Sequence, residues 1–185
     1  MTTTKLMLIR HAEKPNGAQG VMPDGSQNAE ALIVQGWQRA GALVGLFAPP
    51  GGRFANPLLA TPRTIFATGI AHHSESLRPQ QTVTPLAAKL NVQLNTAFPK
   101  GEESAMVNAA TTAGGIVLVA WQHEDIPTIA GLILGGGTGV PQQWPGDRFD
   151  LVWVFDRPSG AGNWTFNQVP QLLLAGDSAT TIAAT

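Results

Sequence analysis

The chain has 185 residues, a formal net charge of −1 and no cysteine. The length suits one well-cored domain. The near-zero charge gives no electrostatic case for a nucleic-acid partner, and the missing cysteine excludes disulfides, thiolate metal sites and cysteine nucleophiles.

Lys5 to Arg10 is a short apolar run that reads as a buried strand. The segment before it lacks the basic region and long apolar stretch of a signal peptide, and no apolar run in the chain approaches the ~18 residues of a membrane span. A soluble, cytoplasmic protein with no membrane partner is expected. Pro15 to Gln27, rich in Gly, Pro and Asn, reads as a loop. Ile33, Trp37, Ala40, Val44 and Phe47 then recur at helical spacing, and Pro49 to Gly52 end that helix. Thr64 to Thr68 is the next strand. A helix follows Leu77, with Pro79 in its first turn and Pro85 expected to kink or restart it. Val92 to Phe98 reads as a third strand, Glu102 to Thr112 as a helix, and Gly115 to Trp121 as the strongest buried strand. Pro127 to Leu134 is a short apolar helix stopped by Gly135 to Gly139. Phe149 to Asp156 is a strand, and Trp164 to Leu174 is expected to pair with it as an antiparallel edge. Strands alternating with helices predict an α/β sandwich with a largely parallel sheet. The expected organisation is a single domain over residues 1–174, with 175–185 a loose tail.

In open α/β sheets, functional groups gather at the carboxyl ends of the strands. There the first strand delivers Arg10-His11-Ala12-Glu13-Lys14, and the strong later strand delivers Gln122-His123-Glu124-Asp125. Arg78 follows the second strand. A neutral imidazole is a good nucleophile near neutral pH. Guanidinium forks match phosphate oxygens, and a second imidazole adds positive charge where a phosphoryl transition state needs it. Arg10, His11, Arg78 and His123 supply these without a metal.

Leu8-Ile9-Arg10-His11-Ala12-Glu13-Lys14 resembles the signature of the histidine phosphatase superfamily, which includes the cofactor-dependent phosphoglycerate mutases. Leu32 to Ala40, with Gly36 and Arg39, resembles its first helix. Arg78 with Gln81-Thr82 and Pro85-Leu86-Ala87 resembles its second arginine motif, and Val117 to His123 its second histidine motif. The resemblance spans roughly residues 5 to 157. It implies a three-layer αβα sandwich around a mostly parallel mixed sheet, without a large separate cap. It also implies a covalent phosphohistidine at His11, a phosphate pocket completed by Arg10, Arg78 and His123, and activity without metal or organic cofactor. The acid that protonates the leaving group is Glu102, Glu103 or Glu124. Some related domains lack a strong acid and act on phosphohistidine. The sequence departs from the family in Ala12, where one branch has glycine, and in Glu124, where that branch has a small residue.

The function expected is hydrolysis of a small phosphomonoester or a phosphorylated protein side chain. The alternatives are a phosphomutase using the same pocket and a non-catalytic phosphate-binding module. Oligomeric state is open. His72-His73 could suggest a metal-dependent hydrolase together with His123, but the pair reads more simply as solvated loop residues without matching carboxylates. Glu13 and Lys14 are expected near the site, with a surface ion pair as their plainer reading; Arg78 is expected at the phosphate, with pairing to Glu75 as its plainer reading; Trp37, Trp121 and Trp153 read as core.

Overall fold

The computed structural model describes residues 3–136, 139–158 and 162–184. Six strands form one sheet: β1 (Thr4–Arg10), β2 (Thr64–Ala67), β3 (Leu94–Asn95), β4 (Ile116–Trp121), β5 (Leu151–Arg157) and β6 (Thr165–Pro170). Their spatial order is β3-β2-β4-β1-β5-β6. β1 to β4 run parallel; β5 is antiparallel to β1 and to β6. The four helices are α1 (Val34–Phe47), α2 (Arg78–Leu90), α3 (Glu103–Ala113) and α4 (Ile126–Leu134).

The layers follow from side-chain alternation along the central strands. Met7 and Ile9 of β1 join Leu43 and Phe47 of α1 and Val83 and Leu86 of α2 in one apolar cluster. Leu6 and Leu8 face the other way, into a cluster with Met106 of α3, Ile129 of α4 and Trp153 of β5. A strand buried on both faces is apolar throughout, which is why β1 and β4 are legible as continuous runs. The result is an αβα sandwich with a mixed sheet.

Several elements depart from expectation. α2 continues through Pro85 as one helix, although proline supplies no N–H to the carbonyl of Gln81. Its buried face, Thr82, Val83, Leu86 and Ala87, holds the helix together across that missing bond. β3 shrinks from the expected Val92–Phe98 to two residues at the sheet edge; an isolated parallel bridge between Gly69 and Pro99 continues it. Gly135 ends α4 in the left-handed conformation, φ 69°; Gly137 and Thr138 of the expected stop lie outside the described residues. Trp144 and Trp153 are core together, with ring centroids 5.1 Å apart. The expected loose tail is instead docked: Asp177 pairs with Arg39 at 2.7 Å, and Ile182 packs on the core and exchanges hydrogen bonds with Gln168. Among the described residues, no helix is long and apolar enough to cross a membrane.

Candidate active site

Register carries the site. Arg10 lies opposite Trp121 across β1 and β4, and the His11 N–H donates to the Trp121 carbonyl at 3.0 Å. The two chains therefore leave the sheet side by side, one carrying His11 and the other His123. β5, running the opposite way, begins at this same edge and brings residues 145–150 across it.

His11 is 3% exposed, more enclosed than a histidine merely facing a crevice. Its Nδ1 lies 2.7 Å from the Ala12 carbonyl. A carbonyl only accepts, so Nδ1 carries the proton and Nε2 carries the lone pair. Among the described residues Nε2 has no hydrogen-bond partner, and it keeps a small opening to solvent. Burial, against the opposing Ala12 hydrogen bond and with the help of Arg10, Arg78 and His123, lowers the pKa of His11 to about 3. The ring is thus a neutral base with its nucleophilic nitrogen open. The Ala12 N–H donates to Thr82 Oγ1 at 2.8 Å, and that hydroxyl donates to the Arg78 carbonyl at 2.7 Å. This ties the His11 loop to the first turn of α2.

Arg10 is 1% exposed. Its Nη1 donates to the carbonyls of Gly146 (2.7 Å), Arg148 (2.9 Å) and Pro145 (3.3 Å). The guanidinium carbon sits 3.7 Å from the centre of the Phe149 ring, a cation–π contact. Nε and Nη2 are buried without any partner. Desolvation lowers its pKa to about 10, which leaves it charged at neutral pH. A buried donor left unpaired costs about 1–3 kcal/mol, and more when charged. The two unpaired donors form one edge of the fork, a spacing that matches two oxygens of one tetrahedral oxyanion.

His123 has a side chain 13% exposed, with Glu124 Oε2 3.0 Å from Nδ1 but out of line for a hydrogen bond. Burial lowers its pKa, as do Arg10, Lys14 and Lys100, against the opposing pull of Glu124. Burial would raise the pKa of Glu124, but its own backbone N–H, His123, Lys100 and Lys14 together hold it below the usual carboxylate range. Arg78 reaches the site by charge, since it acts on His11. Its donors are engaged by the carbonyls of Ala29 (2.6 Å) and Ala31 (3.4 Å), by Ser76 Oγ and by Glu30 (3.3 Å), so Glu75 is not its partner. Glu102 is exposed at the start of α3. Glu103 accepts from the Trp121 Nε1–H at 3.2 Å and from the Gly101 N–H.

The expected Glu13–Lys14 surface pair does not form. Glu13 is buried and accepts from Nε and Nη2 of Arg39, while Lys14 lines a cavity of about 750 Å³ between residues 13–16, 146–150 and 175–178. His72 and His73 are exposed, and among the described residues no group of three or more His, Asp or Glu is arranged to hold a metal ion. Sequence reasoning missed Phe149, Lys100 and Asp125, whose pKa burial raises. Phe149 gives no sequence signal, because an aromatic entering a strand looks like core. Asp125, two residues past His123, was visible by spacing.

No protein-family profile and no curated protein matches the chain. Solved structures do. A mycobacterial glucosyl-3-phosphoglycerate phosphatase superposes with a TM-score of 0.56 at 11% identity, covering 89% of this chain and 97% of that one. A phosphoserine phosphatase from Entamoeba histolytica gives 0.52 at 14%, covering 90% and 95%. A candidate phosphohistidine phosphatase, SixA, from Agrobacterium tumefaciens gives 0.50 at 18%, covering 89% and 96%. The chain therefore has the phosphoglycerate mutase-like fold of the histidine phosphatases.

Proposed function

We propose that this protein is a phosphatase that hydrolyses a phosphomonoester or a phosphorylated side chain through a phosphohistidine at His11. One observation carries the reading: a neutral imidazole with its Nε2 open, beside a buried guanidinium whose Nε–Nη2 edge has no protein partner. Nε2 attacks phosphorus; the new P–N bond forms as the bond from phosphorus to the leaving group breaks, P–O in a phosphomonoester or P–N in a phosphohistidine, and the departing atom takes its proton from solvent. The Nδ1 proton stays on the ring, where the Ala12 carbonyl faces the positive charge of the phosphoimidazolium. Water then attacks phosphorus, the P–N bond breaks, and inorganic phosphate leaves with His11 neutral again. Arg10 offsets the negative charge of the transferring group and Arg78 adds its field from the edge of the site; His123 is neutral at rest, and the arriving dianion raises its pKa so that the ring can take up a proton.

Glu124 is ionised at neutral pH, so it serves better as a charge partner of His123 than as the acid. Glu103 is occupied by Trp121, and Glu102 has no hydrogen bond to either histidine. This supports substrates whose leaving group departs without a protein acid, such as aryl phosphates, which release a phenolate, and phosphohistidine, which releases an imidazole that takes its proton from solvent. The neighbours in fold are described as phosphatases, one of them for phosphohistidine, which agrees. In a single-turnover assay with an aryl phosphate in the presence of chelator, the expected result is a burst of aryl alcohol and an acid-labile phosphoprotein. His11→Ala is expected to lower turnover by at least about 10³-fold. Equal activity in the two proteins removes the proposal.

A further inference from the structure

Residues 175–184 are bonded directly to the 145–150 loop and, through Arg39 of α1, to the loop that carries His11. Asp177 accepts two hydrogen bonds from Arg39, at 2.7 and 3.0 Å, and is itself fixed by the N–H groups of Leu173 and Leu174 at 2.8 and 3.1 Å. Arg39, 3% exposed, also donates to Glu13 Oε1 from Nε and Nη2 at 2.9 and 2.8 Å and to Gln171 Oε1 from Nη1 at 3.0 Å. Glu13 is two residues beyond His11. At the next residue, the Ser178 N–H donates to Asp150 Oδ2 at 2.6 Å, and the other oxygen of Asp150 accepts from Arg148 Nε at 2.7 Å. Arg148 Nη2 in turn donates to the Thr180 carbonyl at 2.8 Å. The carbonyl of Arg148 is one of those that grip Arg10 Nη1.

We propose that this C-terminal strap, anchored by Asp177, is a positioning element of the anion site. It holds the carbonyl cradle that aims the free edge of Arg10, and it braces the loop that carries His11. The inference rests on the reading of that site as a phosphate pocket. Its physical basis is that residues 145–150 have no regular secondary structure of their own. Within the loop one turn, the Arg148 N–H donating to the Pro145 carbonyl at 3.1 Å, sets the local bend, and the Asp150 carbonyl accepts from the Gln171 N–H at 2.7 Å; the strap adds the side-chain ties that hold this turn over Nη1. Apart from the Trp144 indole, which donates to the Arg148 carbonyl at 2.8 Å, the side-chain fixings of Arg148 and Asp150 lead to the strap. With the cradle released, the guanidinium can turn, and the two donors meant for the anion lose their common direction.

The test compares orthovanadate and inorganic phosphate binding by calorimetry in the full chain, in Asp177→Asn, and in a chain ending at Leu174, with steady-state kinetics alongside. Asp177→Asn keeps an acceptor oxygen and every backbone bond of the strap. It is expected to retain the circular dichroism of the parent, to weaken orthovanadate by about tenfold or more, and to raise KM more than it lowers kcat. The truncated chain is expected to lose more. A merely structural role would lower the unfolding temperature but leave the affinity of the folded protein unchanged; that result in Asp177→Asn overturns the inference, whether or not the truncated chain folds. Failure of the parent to bind orthovanadate overturns the phosphate reading instead.

Discussion

Acidification should destabilise this protein through His11 by an amount the structure sets. In the unfolded chain the imidazole titrates near 6.5; in the fold its pKa is about 3, chiefly because burial disfavours the charged ring. The folded-state value is the lower one, so between these pH values the unfolded state binds the extra proton. Stability is therefore undiminished above about pH 6.5, falls as pH drops below it, and stops falling once the folded ring also protonates near pH 3. Each unit corresponds to about 1.4 kcal/mol, so at about pH 5 the loss is about 2 kcal/mol. His11→Asn removes the titration while keeping an amide N–H near the Ala12 carbonyl. Urea unfolding of both proteins near pH 7.5 and about pH 5 isolates the effect, since every other titrating group is shared. The stability difference between wild type and variant should shift by about 2 kcal/mol against wild type on acidification. Parallel curves would mean that His11 is not held neutral by its surroundings, and the nucleophile assignment would lose its electrostatic basis.

Arg10→Lys should lower kcat/KM by about 10²-fold or more, because an ammonium cannot present the paired edge that Nε and Nη2 form; a loss under threefold would mean that edge meets no substrate. Arg39→Met should cost about 3–5 kcal/mol in urea unfolding, because Glu13 and Asp177 would be left as enclosed charges without a counter-ion. Gly36→Ala should destabilise by about 1–3 kcal/mol in the same assay, although alanine is the better helix former. A Cβ at that position meets the Glu13 carbonyl oxygen at 2.6 Å, so α1 must move off the His11 loop.

Much of the architecture was legible because it is written in periodicity. β1, β4 and β5 are buried on both faces and so are apolar along their central residues, Leu6–Ile9, Val117–Trp121 and Leu151–Phe155, while α1 and α4 carry their stripes at helical spacing. β3 was overestimated because an edge strand needs little apolar sequence and Val92 to Phe98 offered more than the sheet uses. The tail was misread for the opposite reason. It is held by Asp177, Ser178 and Thr180 through hydrogen bonds and one buried ion pair, and such bonds leave no periodic trace. Within the site, His11, Arg10 and His123 could be found from their positions at strand ends. The cradle of carbonyls around Arg10 could not, since a backbone carbonyl has no residue identity to read.

The arrangement also explains why two arginines stand beside a histidine that must stay neutral. Their charges lower the basicity of His11 while the site holds no anion. In the proposed reaction a phosphoryl dianion entering the pocket offsets Arg10 and Arg78, so the same ring becomes more basic, and a better nucleophile, when its substrate is present. Transfer then places positive charge on the imidazole next to the phosphoryl oxygens, where the Ala12 carbonyl already faces Nδ1. Burial serves both stages. It keeps the proton off the resting ring, and it strengthens the attraction between the phosphoryl group and the guanidinium edge that no protein acceptor satisfies.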